Sequence, residues 1–372
     1  MNWIHTFSTD NSGQPYIYAP NDNTGIYVAK NVSVFSTSIY LIGSFGVNNM
    51  VVIAGSVASA GIYMTIWVDP STGNGPSYLT VEETGQVFGL GNVAVDLDDD
   101  GQRDVDLHLA NYGLISSVGD SAVVFRGVGD SNQSEIINSG TIRSTREAVT
   151  IDSKANDTLV LDNTGLIEAG KNQFSYYAAA STTDRITNAG TMIGSIYLGK
   201  GDDLYDGQSG KVTGFVAGGD GADKLLGGKG SEGLIGDAGE DTISGGAGND
   251  IIDGGAGKDH LSGGKGNDEF SFFYSALAGD LDSITDFSSV KGNDDGFRLS
   301  HTLFPNIALG DLSSQSFKNI TTGNADADDR ILYEQSTGHL YYDGNGSGAG
   351  ERVMFADLAR NTLVTNADFY VF

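Results

Sequence analysis

Six acidic residues recur at intervals of nine: Asp223, Glu232, Asp241, Asp250, Asp259 and Asp268. Two residues before each stands a glycine: Gly221, Gly230, Gly239, Gly248, Gly257 and Gly266. Two before that, in five of the six units, stands another: Gly219, Gly228, Gly246, Gly255 and Gly264. Glycine lets the backbone turn through positive φ, so the turn can aim carbonyl oxygens at a common point. Those carbonyls and one carboxylate are the hard oxygen donors that calcium prefers. The chemistry on offer is cation binding, repeated.

The units that must position these donors read GGDGADKLL, GGKGSEGLI, GDAGEDTIS, GGAGNDIID, GGAGKDHLS and GGKGNDEFS, from Gly218 to Ser271. A large apolar residue holds the eighth place in each: Leu225, Leu234, Ile243, Ile252, Leu261 and Phe270. The last three residues of a unit form a short strand with one inward side chain. Such a strand buries nothing alone, so the units must stack, two to a coil. Residues eighteen apart then lie over one another. One edge carries Asp223, Asp241 and Asp259, and the other carries Glu232, Asp250 and Asp268. A flexible Gly/Asp linker would not keep an apolar residue at every ninth position.

This stretch resembles the repeats-in-toxin (RTX) calcium-binding nonapeptide. The resemblance implies a β-roll holding several Ca2+ ions between consecutive coils. Two places depart from it: Glu232, followed by Gly233, replaces an aspartate, and Asp237 replaces a second-place glycine. A further copy, LGKGDDLYD at Leu198–Asp206, lies outside the register and offers Asp203 as its acid. Near-matches to nucleotide motifs carry no weight. Gly194–Gly201 has Gly201 where a P-loop needs Ser or Thr, and GKGSEG at Gly228–Gly233 reflects glycine density alone.

Composition sets the bounds. The 372 residues include 20 basic and 48 acidic ones, a formal charge of −28. Such a chain repels nucleic acid and anionic membranes and attracts cations. Bound calcium would neutralise crowded carboxylates, so binding energy becomes folding energy. Cysteine is absent, which rules out disulfides without placing the protein in the cytosol. The N-terminus has no signal-peptide pattern, and no apolar run reaches membrane-spanning length, so membrane insertion is not expected.

The first two hundred residues carry a looser phrase, glycine followed two residues later by an aliphatic. It is centred on Gly55, Gly85, Gly113, Gly140, Gly165, Gly190 and Gly210, at separations of 30, 28, 27, 25, 25 and 20. This predicts coils of a parallel β-helix that shorten toward the nonapeptides. An antiparallel sandwich is the rival. Asn111, Asn138, Asn163 and Asn188 each precede the glycine by two and would align as an interior ladder bonding the backbone of the next coil. This half loosely resembles the β-helical passenger repeats of bacterial surface proteins. Within it, Asp96, Asp98, Asp100 and Asp104, with Gly101, match the start of an EF-hand-like calcium loop. Leu107 replaces the usual twelfth-place glutamate, and a solvated acidic loop is the alternative.

After Phe270 the repeat stops and aromatics gather, as suits a cap over exposed strand edges. GNDDG at Gly292–Gly296 and Asp326, Asp328 and Asp343 are further candidates for calcium. The ending NADFYVF resembles the uncleaved signal of RTX proteins exported by bacterial type I systems, which implies a type I secretion apparatus as partner. A final strand of the cap accounts for it equally. No HExxH or GxSxG motif is present; Asp104, Asp106 and His108 alternate and could share a face, though such spacing is more often structural.

The expected fold is thus all-β, a parallel β-solenoid: a β-helix over 1–197, an RTX β-roll over 198–271 and a β-rich cap over 272–372. The expected function is a secreted, calcium-folded, non-catalytic component of a bacterial cell surface, matrix or adhesion layer, with extracellular polysaccharide as a candidate partner. The alternative is a carbohydrate-active enzyme, a lyase or epimerase, on the N-terminal coils.

Overall fold

The computed structural model describes residues 2–5, 17–19, 24–30, 32–36, 42–44, 50–59, 64–68, 76–91, 93–98, 106–126, 133–152, 158–179, 182–273, 281–346 and 352–372. Apart from one short 3-10 turn at Asn366–Asp368, the regular elements are β-strands. The chain divides into two compact units: Met1–Tyr205 with Ser209–Gly214, and Asp206–Gln208 with Phe215–Phe372.

In the first unit, from Thr24 to Lys200, each described coil contributes three strands, one to each of three parallel sheets. One coil runs through Leu107–Asn111, Leu114–Val118 and Val123–Arg126; the next through Gln133–Asn138, Thr141–Ser144 and Val149–Asp152. The register is strict. Ile115, Ile142, Ile167 and Met192 stack on one flank, and Val123, Val149 and Tyr176 on another, all buried. The recurring glycines mark the corner between the first two strands. A Cβ at Gly140, Gly165 or Gly190 would strike the carbonyl oxygen of the motif glycine one coil earlier. That carbonyl is meanwhile accepting the N–H of Thr141, Leu166 or Thr191, at 2.8–2.9 Å. Glycine recurs because the coils approach too closely there for a side chain.

The asparagine ladder forms, with one difference from expectation. Asn111 donates to Asn138 Oδ1, Asn138 to Asn163 and Asn163 to Asn188, each at 2.8 Å, so the principal bonds run side chain to side chain. Secondary bonds reach the backbone carbonyls of Thr141, Leu166 and Thr191 at 3.2–3.5 Å. The ladder stops at Asn111, whose Oδ1 is buried without a partner, because Val81 occupies the register position one coil earlier. Asn163→Ala removes one ladder donor and one acceptor and takes the ladder partner from one of Asn138's amide hydrogens. We expect it to cost about 2–4 kcal/mol. Both tryptophans, Trp3 and Trp67, belong to this unit, so urea unfolding followed by their emission measures the loss.

In the second unit the nonapeptide coils contribute two strands each. Leu225, Ile243, Leu261 and Ile284 stack on one sheet, and Val216, Leu234, Ile252, Phe270, Phe297 and Phe369 on the other, all buried. Three of the six nonapeptide strands run to six residues where three were expected. Thr242–Ala247 and His260–Lys265 run six residues, through the glycine pair of the next unit. Beyond the repeats the core turns aromatic: Phe297 stacks on Phe287 at 4.6 Å and on Phe369 at 4.7 Å. The parallel ladders end on antiparallel pairings, Gly310–Asp311 against Phe369–Val371 and the run Ile331–Glu334, His339–Tyr342 and Val353–Leu358. These cover strand edges that would otherwise template another chain.

Candidate metal centre

The repeat acids form two columns, each joined by the same hydrogen bond. On one edge the Asp223 N–H donates to Asp241 Oδ1 at 2.7 Å, and the Asp241 N–H to Asp259 Oδ1 at 2.9 Å. On the other, Glu232 donates to Asp250 Oδ1 and Asp250 to Asp268 Oδ1, both at 2.9 Å. The main chain locks the same residues, since the carbonyls of Asp241 and Asp250 accept the N–H groups of His260 and Glu269 at 2.8 Å.

One oxygen of each aspartate is therefore spent. The other, Oδ2, is buried with no hydrogen-bond partner in Asp241, Asp250 and Asp268. Among the described residues no ion pair reaches these three either. The Oδ2 atoms do have neighbours, but of the wrong kind for a hydrogen bond. The place a Cβ would take on Gly245 is shared by Asp250 Oδ2 and the carbonyl oxygen of Gly263, and that on Gly236 by Asp241 Oδ2 and the carbonyl oxygen of Gly254. Two oxygen acceptors facing one point without a donor are unfavourable unless a cation lies between them. Burial pushes the Asp241 carboxyl up to about 7 and Asp250 up to about 6, with the neighbouring acids of the column adding to both. A divalent ion reverses that balance.

The donor set fits calcium. It is oxygen throughout, and among the described residues no three His, Cys, Asp or Glu side chains converge. Each site must then be completed by backbone carbonyls, as hard, large cations accept and zinc does not. The glycines expected to supply them hold the necessary shape: Gly219, Gly221, Gly239, Gly246, Gly248, Gly255, Gly257, Gly264 and Gly266 have φ between 91° and 146°. Asp237 takes φ 74° in a glycine's place. The loop of Gly228, Gly230 and Glu232 differs. Gly230 does not adopt the left-handed turn, and the longer Glu232 side chain folds back so that its Oε2 accepts the Gly228 N–H at 3.2 Å.

Asp203, in the first unit, repeats the column bond, accepting the Asp184 N–H on Oδ1 at 2.6 Å. Asp184 in turn accepts the Tyr176 hydroxyl at 2.8 Å, and burial pushes it up to about 7. In the EF-hand-like stretch, Asp96 is buried and accepts from Arg126 Nε at 3.0 Å. Asp98 is in strand register with Arg126. The Asp98 side chain, and Asp100, Gly101 and Asp104, lie outside the described residues. Asp106 and His108 are engaged with the next coil, at Gln133 N–H (3.1 Å) and Glu135 (3.3 Å).

Sequence reasoning missed how far the columns run. Asp259 donates to Asp282 Oδ1 at 3.2 Å and Asp268 to Asp295 Oδ1 at 3.0 Å, continuing both edges past the last nonapeptide. The intervals there are 23 and 27 residues: Asp282 falls outside the nine-residue frame, and Asp295 falls within it only after the run is broken at Leu277 and the glycines of the repeat are lost. The triplet of acid, any residue and inward apolar does persist, in Asp282–Ile284 and Asp295–Phe297, and was the available signal.

A parallel β-solenoid with oxygen-only sites between its coils is, as a class, a calcium-structured repeat protein. The match to known families agrees: residues 215–231 and 235–270 match the RTX calcium-binding nonapeptide repeat, in four copies. The chain carries RTX repeats, and they bind calcium. No curated protein matches the chain. Among solved structures, the AlgE6R3 subunit of the Azotobacter vinelandii mannuronan C5-epimerase is similar at 27% identity, covering 41% of this chain and 79% of that one, with a TM-score of 0.28. No helix among the described residues is long and apolar enough to cross a membrane.

Proposed function

We propose that this protein is a secreted RTX protein folded by extracellular calcium, serving without catalysis in a bacterial surface layer, matrix or adhesion structure. The observation that carries the reading is the set of buried Oδ2 atoms of Asp241, Asp250 and Asp268 without hydrogen-bond partners, which a bound cation would stabilise. Low calcium inside the cell keeps the roll unfolded for passage through a type I secretion apparatus, and high calcium outside folds it on exit. The three segments 1–197, 198–271 and 272–372 act in this reading as body, calcium-folded roll and cap. Asp96, Asp98, Asp100 and Asp104 are proposed to form a further calcium loop, in which Asp96 also accepts from Arg126.

Extracellular polysaccharide is the proposed partner of the first unit. A shallow cleft of about 540 Å³ on one flank is bordered by Ser116, Ser117, Ser144 and Thr145, with Arg143, Glu168 and Lys171. Its hydroxyls favour binding. The lone carboxylate with two cations keeps a carbohydrate-active enzyme as the second reading. Calcium titration of the chelated chain, followed by circular dichroism with Asp241→Ala and Asp250→Ala alongside, tests the main proposal. Sheet content indifferent to calcium and to both substitutions would overturn it.

A further inference from the structure

The loop that follows the last nonapeptide coil brings a carboxylate, Asp286, onto the glycine pair Gly263 and Gly264 of that coil. Within the repeat, Asp250 Oδ2 lies against Gly245 together with the carbonyl oxygen of Gly263 from the next coil. One coil on, Asp268 Oδ2 lies against Gly263 in the same way, but the repeat has ended and the segment Leu281–Asp286 that follows holds no glycine. Asp286 arrives instead. Its Oδ1 accepts the Gly263 N–H at 3.0 Å, and its Oδ2 accepts the Gly264 N–H at 2.9 Å and the Ser262 hydroxyl at 2.7 Å. Both carboxylates thus abut one glycine, Gly263, and the Asp268 oxygen on that side is buried with no hydrogen-bond partner.

We propose that Asp268 and Asp286 hold a further calcium ion at the end of this edge, in a site that only half belongs to a nonapeptide. The inference rests on the calcium reading of the repeats and extends it to a residue outside them. A carboxylate offers about four acceptor positions, so the three hydrogen bonds Asp286 accepts leave it able to ligate. Asp295 is a positioning residue: by accepting the Asp268 N–H at 3.0 Å and the Ser288 N–H at 2.9 Å it fixes the acid and the following loop in register. Gly266 and Asp294 are tied the same way, through Asn293 Oδ1 and Asn267 Oδ1, each at 3.1 Å. The ion would tie the aromatic C-terminal region to the roll, so the two would fold together.

The test counts calcium ions on the full chain by native mass spectrometry in saturating calcium, for the unaltered protein, Asp286→Asn and Asp250→Asn. Asp286→Asn keeps the size and an acceptor while removing the charge. The expected result is one ion fewer than the unaltered chain, with unchanged circular dichroism, and a loss for Asp250→Asn as well. An unchanged count in Asp286→Asn beside a reduced count in Asp250→Asn overturns the proposal while leaving the repeat sites standing. Unchanged counts in both overturn the calcium reading beneath it. If Asp286→Asn fails to fold, Asp286→Glu reads the site through affinity. A several-fold rise in the calcium concentration that fills the last site supports the assignment, and an unchanged binding curve overturns it.

Discussion

In a calcium chelator the full chain should lose most of the sheet signal of residues 215–372 while the tryptophan emission of the first unit changes little. The asymmetry follows from where the buried acids sit. Asp241, Asp250 and Asp268 each keep one oxygen out of water and out of any hydrogen bond, and the columns stack like charges coil upon coil. A single site at a hundredfold excess over its dissociation constant contributes about 2.7 kcal/mol to the fold. Several such sites match the whole stability of a typical domain, about 5–15 kcal/mol, so their loss is not survivable. The first unit rests instead on apolar stacks and the asparagine ladder, neither of which needs an ion. Asp241→Ala deletes both a proposed ligand and the acceptor of the Asp223 N–H, and Asp250→Ala does the same to Glu232. Each should raise the calcium concentration at the folding midpoint several-fold. A chelated chain with full sheet content would sink this account.

Protons should partly replace calcium, and the sign is fixed by the direction of the shifts. Burial, reinforced by neighbouring acids, pushes Asp241 up to about 7 and Asp250 and Asp295 up to about 6 in the folded chain. A carboxyl whose pKa is raised by folding favours the fold below its unfolded pKa, and that contribution is lost as pH rises through the folded value. In chelator, then, sheet content should grow as pH falls from 8 toward 5. In limiting calcium the same acidification competes with the ion, so more calcium is needed to reach the midpoint. Circular dichroism across both series checks the pair of opposite slopes.

What the sequence disclosed and what it withheld divide along one physical line. Constraints that every coil repeats leave a periodic mark. The close approach at Gly140, Gly165 and Gly190, the inward Leu225, Ile243 and Leu261, and the acids of the nonapeptide were all legible for that reason. Constraints met once leave none. Arg126 reaches Asp96 across 30 residues, and no spacing rule announces that an acid spaced like a calcium ligand is held by a guanidinium. The fold-back of Glu232 depends on one extra methylene, and Asp286 reaches Gly263 from a loop outside the repeat, across 23 residues. The third strand of each N-terminal coil was also hidden, since stretches such as Val123–Arg126 lack the glycine phrase that marks the corner before the second.

Gly257→Ala should be among the most damaging single methyl groups in the roll. Gly257 has φ 146°, a conformation that side chains rarely adopt, and a Cβ there would run into the carbonyl oxygen of Gly239 one coil earlier. That carbonyl cannot step aside, because the same Gly239 donates its N–H to Ala256 at 2.8 Å and the neighbouring turns are spaced by the acid column. Left-handed backbone costs a non-glycine residue about 1–2 kcal/mol, and overpacking adds about 1–3 kcal/mol. Together they predict a loss of about 2–5 kcal/mol, a fall of roughly 4–20 °C in the melting temperature of a unit this size. Gly292→Ala separates the two causes. Gly292 also has a positive φ, 93°, but an added Cβ would meet nothing within 4 Å, so only the backbone cost applies. Melting both variants in saturating calcium should place Gly257→Ala well below Gly292→Ala. Equal melting temperatures would mean that the turns are not packed carbonyl against glycine, and the spacing on which the calcium sites depend would lose its physical basis.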